Sequence, residues 1–191
     1  MRSAILLLLL SSGAFAARDA AGTPAMLRDL DQVARVASVM LDGDTCLRIQ
    51  TARSAHYLTV KDPRDPWRAG DNYDVDAAPF IEIKKTLIRL AHLCSTPCDV
   101  NLWMPEPGNA ARVQIVIRNV HELSQFWIWG DLGQAMPAEM QRVIDSGQRI
   151  SVNRKAGMVS MLAPVRNSLG DIVAIAEVVS QKNQDPRENV K

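Results

Sequence analysis

No stretch of this sequence is long and apolar enough to span a bilayer as a helix, which takes about 20 residues. The one apolar run near that class, Ala4 to Leu10, falls far short. An excess of one charge is also missing: 22 Lys and Arg face 21 Asp and Glu. That balance gives nothing to steer the chain to nucleic acid or to an anionic membrane. There is no basic stripe with interleaved aromatics for single strands. No G-x-S-x-G frames a serine, and Gly130, Gly133, Gly147, Gly157 and Gly170 are isolated rather than grouped into a phosphate cradle. The three histidines, His56, His92 and His121, lie in separate segments. His92 and Cys94 stand two apart on one helix and so point different ways. No catalytic motif remains, and no cofactor is expected.

Cysteine is scarce: Cys46, Cys94 and Cys98 are the only three. The pair Cys94 and Cys98, with Cys46 and His121 elsewhere, does not make the two close pairs of a zinc site. The run CSTPCD lacks the C-x-x-C-H of haem attachment, and its spacing is not that of a C-x-x-C thiol oxidoreductase. A disulfide is the expected use. Pro97 bends the chain between Cys94 and Cys98, which favours that local pair; Cys46 bonded to either is the alternative.

The chain opens MRSAILLLLLSSGAFAAR. Arg2, the short apolar core and Ala14-Phe15-Ala16 have the form of a secretory signal peptide over residues 1–16. Loss of the leader removes Arg2 alone among the charged residues, leaving 21 Lys and Arg against 21 Asp and Glu in 175 residues. That length suits one domain with a sizeable core. The expectation is a periplasmic or secreted protein, with no membrane insertion after cleavage.

Residues 17–25 read as a flexible lead-in. Thr23-Pro24 then opens a helix, Thr as cap and Pro at the first helical position. Leu27, Leu30, Val33, Ala34, Ala37 and Leu41 recur at helical spacing. Gly43 interrupts, and a second helix is expected from Asp44 to about Leu58. The segment 61–76, with two prolines and five aspartates, is a loop in which Trp67 and Tyr73 are expected to cap neighbouring helices, contact with a ligand being the alternative. Asp76 caps a third helix to about Leu93, with Phe80, Ile83, Leu87, Leu90 and Cys94 on its buried stripe.

After Cys98 the period falls to two. Val100, Leu102 and Met104 share one face, Asn101 and Trp103 the other. Val113, Ile115 and Ile117 alternate with Arg112, Gln114, Val116 and Arg118 across a turn at PEPGN. Residues 121–136 keep neither period. Pro137 starts a short helix that Gly147 stops. Three strands come next, RISVN, MVSMLAPV and DIVAIAEVVS, then a polar tail over 181–191. The expected class is α+β: a five-stranded antiparallel sheet packed on a long N-terminal helix and further helices.

The long first helix, the short helix and glycine of PAEMQRVIDSGQRIS, and the closing hairpin APVRNSLGDIVAIAEVV together resemble the extracellular Cache sensor domains, exported relatives of the PAS fold. The likeness covers residues 26–180. It implies a ligand seated on the sheet face, under the segment between the second strand and the later ones. That segment is SQFWIWGD, where Phe126, Trp127 and Trp129 crowd beside Asp131. The candidate ligand residues are these four with Arg118 for a carboxylate, Asn101 and Ser160. The expected function is a free-standing sensory domain that binds a small metabolite, such as a carboxylate or amino acid, and signals through a membrane sensor or other protein partner. A homodimer through the first helix is a further option. The alternatives are an interaction module whose pocket is filled by its own side chains and, third, a thiol redox or metal-binding protein.

Overall fold

A computed structural model describes residues 24–52, 76–128 and 133–182. The expected leader, the lead-in through residue 23, Trp67, Tyr73, Trp129, Asp131 and the tail beyond Lys182 lie outside the described residues.

The order is α1 (Pro24–Met40), α2 (Gly43–Ile49), α3 (Ala77–Ala91), β1 (Cys98–Glu106), β2 (Asn109–Ile117), β3 (Gln134–Ala135), α4 (Ala138–Ser146), β4 (Ile150–Val152), β5 (Met158–Arg166) and β6 (Ile172–Gln181). The class is α+β. The strands form one antiparallel sheet in the order β3-β2-β1-β6-β5-β4. Five strands match those expected. The sixth, β3, is a two-residue edge piece that pairs Gln134 and Ala135 with β2, too short to leave a periodic trace in the sequence.

The apolar stripes decide the layers. Leu30, Val33, Ala34 and Ala37 of α1 bury over β5 and β6, and Ile83, Leu87 and Leu90 of α3 over β1, in one core with Val100, Leu102 and Met104. Burial of each Leu, Ile, Val or Met side chain among these is worth about 1.5–3 kcal/mol. A second cluster forms on the opposite face: Trp103, Val113, Ile115, Phe126, Met140, Val143 and Leu162. The sheet is therefore covered on both sides, by α1–α3 on one and by α4 and the segment after β2 on the other.

Two expectations are corrected. The second helix does not run to Leu58; it ends at Ile49, where Gln50 turns extended at φ −80°, ψ 113°. The strict alternation of Val113, Ile115 and Ile117 fails as well. Ile117 pairs with Leu102 and Ile115 with Trp103, so Val116 is an extra residue in β2. A bulge of one residue moves the rest of the strand to the other face. Ile117 accordingly joins the helix-side core while Val113 and Ile115 stay opposite.

Caps act as expected at two helix ends. Gly147 takes the left-handed conformation after α4, φ 65°. Asp76 accepts from Ala78 N at the start of α3. Gly43 has a different role from a simple break. It begins α2 against the β5–β6 turn, where a Cβ would stand 2.4 Å from the Arg166 carbonyl oxygen.

Cys94 and Cys98 form a disulfide that joins the chain after α3 to the start of β1. Cys46 is a free, buried thiol; burial pushes its pKa up to about 12, with Asp42 adding to the effect.

Candidate functional site

β1 and β6 run side by side at the middle of the sheet, with Asn101 opposite Glu177. On the face away from α1, alternate residues of β1 present Asp99, Asn101 and Trp103, while β6 presents Glu177 and β5 presents Ser160. All five are essentially inaccessible to solvent. Strands covered on both faces seldom carry unpaired acids. Both acids here are fully engaged, by the segment that comes after β2.

Glu177 is the hub. Its Oε1 accepts from Gln125 N at 2.7 Å and Ser160 Oγ at 3.0 Å. Its Oε2 accepts from Ser124 Oγ at 2.7 Å, Trp103 Nε1 at 2.9 Å and Asn101 Nδ2 at 3.4 Å. Five donors thus converge on one carboxylate, which is how a buried charge is held without a cation touching it.

Asp99 holds the segment's first turn. It accepts from His121 N at 3.2 Å, His121 Nδ1 at 3.0 Å and Leu123 N at 2.9 Å. Between them Glu122 has φ 56°, the one non-glycine residue with positive φ among those described. That conformation is strained for a side chain with a Cβ and persists where its surroundings over-determine it. Asp99, bonded to both neighbouring N–H groups, supplies that constraint. Asn101 adds a bond to Leu123 O at 2.7 Å and receives one from Asn119 N at 3.0 Å.

The β4–β5 turn closes the other end. Gln125 Oε1 accepts from the backbone N–H groups of Arg154 and Lys155, at 2.9 and 2.7 Å. Lys155 Nζ donates to the carbonyls of Ser124 at 2.7 Å and Trp127 at 3.1 Å. Phe126 packs edge-to-face on Trp103, centroids 6.0 Å apart.

The candidate residues therefore part company. Asn101, Ser160 and Phe126 do meet on one sheet face, but the first two are committed to protein groups and Phe126 is core. Arg118 lies beside Trp127, its guanidinium 4.2 Å from the ring centroid, and bonds Glu122 at 3.2 Å. The space left beside Trp127, lined also by Trp103, Val113 and Ile115, is about 10 Å³. That is room for about one water. Trp129 and Asp131 fall outside the described residues.

Sequence reasoning missed Glu177, Asp99, Gln125 and Lys155. A signal existed for the acids: each is a lone carboxylate in an otherwise apolar strand, AIAEVVS and CDVNLW. Gln125 and Lys155 carried none, because their partners are brought close only by the fold.

Outside the network the segment presents a different surface. Val120 and Ile128 are 69% and 61% exposed. Arg118 and Trp127, both half-buried, stack on one another. Lys84 of α3 donates to the Arg118 carbonyl, and its own burial lowers its pKa. Among the described residues, no cluster of three or more His, Cys, Asp or Glu could hold a metal, and no helix is long and apolar enough to cross a membrane. Neither models of known protein families nor curated proteins give a match to this chain.

Proposed function

We propose that this protein is an exported, Cache-like domain that works as an interaction module, docking a protein partner on the surface around Arg118, Val120, Trp127 and Ile128. The observation that carries this reading is the filled sheet face. Where the resemblance implies a metabolite, Ser124, Gln125 and Phe126 already occupy the place, held by Glu177 and Asp99. A metabolite there would have to break several charge-assisted hydrogen bonds, each worth about 1.5–3 kcal/mol.

The same network ties the backbone of the segment to the sheet and to Lys155. Binding then loses little entropy in ordering the segment. Trp and Arg are among the side chains that dominate protein interfaces energetically, and here they stack on one another. Export is supported by the leader-like N-terminus and by the Cys94–Cys98 disulfide, a bond that persists in oxidising compartments.

The test is site-specific photo-crosslinking in cells that make the protein. Probes at Val120 and Ile128 should yield one discrete partner band, lost in Trp127→Ala, while a probe at Val39 on α1 should not. Crosslinking from Val39 alone would overturn the assignment of the surface. Equally, a small carboxylate or amine that raises the melting midpoint of the wild type but not of Arg118→Ala would replace this reading with a ligand sensor.

A further inference from the structure

The chain from Cys94 to Cys98 links the end of α3 to β1, and hydrogen bonds hold it without help from the disulfide. Cys94 N donates to Ala91 O at 3.3 Å. Ser95 N and Oγ donate to the Asp29 carboxylate of α1 at 2.8 and 3.0 Å. Ser180 Oγ donates to Pro97 O at 2.8 Å, and Cys98 pairs with Ser180 in the β1–β6 ladder. The disulfide therefore joins two points that are already fixed. Its cysteines are separated by only 4 positions. A cross-link restrains the unfolded chain least when its loop is short. Support of the fold is thus a small part of what this bond supplies.

The two sulfurs are not equivalent. Among the described residues, Cys94 is half-buried beside the exposed Ser95, Thr96 and Pro97, while Cys98 is 3% exposed. An attacking thiolate meets Cys94 first, and the bond breaks towards Cys98. A place exists for the thiol that results. Ala91 O stands 3.6 Å from Cys98 Sγ, an acceptor for its S–H. Both redox states are therefore satisfied in one fold. The third cysteine does not interfere. Cys46 is buried, and burial pushes its pKa up to about 12, so it stays a thiol and not the thiolate that exchange needs.

We propose that Cys94–Cys98 is an exchangeable disulfide, reduced and re-formed within the folded protein by a protein dithiol. One thiolate of the dithiol attacks Cys94 Sγ. A mixed disulfide forms, and Cys98 leaves as a thiolate that takes a proton from water. The second thiolate of the dithiol then attacks its own partner sulfur in the mixed disulfide, and Cys94 leaves and is protonated. The dithiol is oxidised to a disulfide, and this protein has gained two electrons and two protons. The chain is the substrate of this exchange, which needs no C-x-x-C of its own. The assignment does not rest on the docking surface at Trp127.

The probe is reduced thioredoxin, a protein dithiol, mixed with the folded protein in the absence of denaturant. Alkylation and mass spectrometry count the thiols. One disulfide should be reduced for each thioredoxin oxidised, with Cys94 and Cys98 alkylated, Cys46 untouched and the near-ultraviolet circular dichroism unchanged. The double variant Cys94→Ser, Cys98→Ser should fold, with a melting midpoint lowered by no more than about 8 °C. Reduction that occurs only in urea overturns the proposal. So does loss of the near-ultraviolet signal on reduction, or a double variant that does not fold, since the bond would then be a staple. Alkylation of Cys46 in the folded, reduced protein overturns it as well. Reduction by dithiothreitol but not by thioredoxin overturns the assignment to a protein dithiol.

Discussion

Replacing Glu177 with Gln keeps the shape of the side chain and removes its charge, and the hydrogen-bond pattern fixes the outcome. The amide offers one acceptor oxygen and one NH2 where the carboxylate offers two acceptors. Three of the five donors cannot reverse their roles: Gln125 N at Oε1, and Trp103 Nε1 and Asn101 Nδ2 at Oε2, the Asn101 amide being fixed by Leu123 O and Asn119 N. Whichever way the amide is turned, its NH2 faces at least one of these N–H groups. The Ser124 and Ser160 hydroxyls can rotate to accept, but a backbone N–H and an indole N–H cannot. At least one buried donor is therefore orphaned, at about 1–3 kcal/mol, and the remaining bonds lose their charge assistance. The expected loss is about 3 kcal/mol. In a domain of this size that lowers the melting midpoint by about 6–12 °C. Ser160→Ala is the control. It removes one rotatable donor and leaves four on the carboxylate, so it should cost about 1 kcal/mol. Urea unfolding of the three proteins measures both differences. A Glu177→Gln variant within about 0.5 kcal/mol of wild type would refute the reasoning, since the carboxylate would then not be what holds the segment.

Other consequences can be checked in the same way. Asp42 caps α2 through Asp44 N and Thr45 N, and its pKa is lowered chiefly by the bond from the Thr45 hydroxyl. Asp42→Ala should cost about 1 kcal/mol at neutral pH. Because the folded pKa lies below the unfolded one, that contribution is full above the unfolded value and is lost as pH falls through the folded one. Wild type and variant should thus converge in acid; a gap constant down to pH 2 would contradict the cap. Gly43→Ala should destabilise by about 1–3 kcal/mol, because its Cβ meets backbone of the β5–β6 turn rather than a side chain that can swing aside. An unchanged midpoint would sink that account. A thiol reagent at pH 8 should leave the native protein unlabelled, label one cysteine after unfolding without reductant, and label three after reduction. Labelling of Cys46 in the folded state would contradict a thiol pushed up to about 12.

Much of the fold was legible because its signals are local. Helical spacing marked Leu30, Val33, Ala37, Ile83, Leu87 and Leu90, and all are buried as read. Alternation put Val100, Leu102 and Met104 opposite Asn101 and Trp103, as the sheet has them. The bond between Cys94 and Cys98 came from a short separation with a proline inside it. Where a single residue breaks periodicity, at Val116, the reading of Ile117 failed, since a bulge depends on the partner strand and not on the strand's own sequence.

The sequence by itself determined the α+β class, the helix stripes, the first hairpin and the stop at Gly147, since each rests on residues within a few positions of one another. Only the tertiary structure decided what Asn101, Ser160 and Arg118 do. Asn101 and Ser160 meet Glu177 across 76 and 17 positions of chain. Sheet order alone makes those meetings, by placing β6 between β1 and β5. A buried carboxylate needs donors from whatever strands and loops surround it, and that set is known only when the sheet is assembled. Among the described residues, the face where aromatic residues suggested a pocket is for that reason filled.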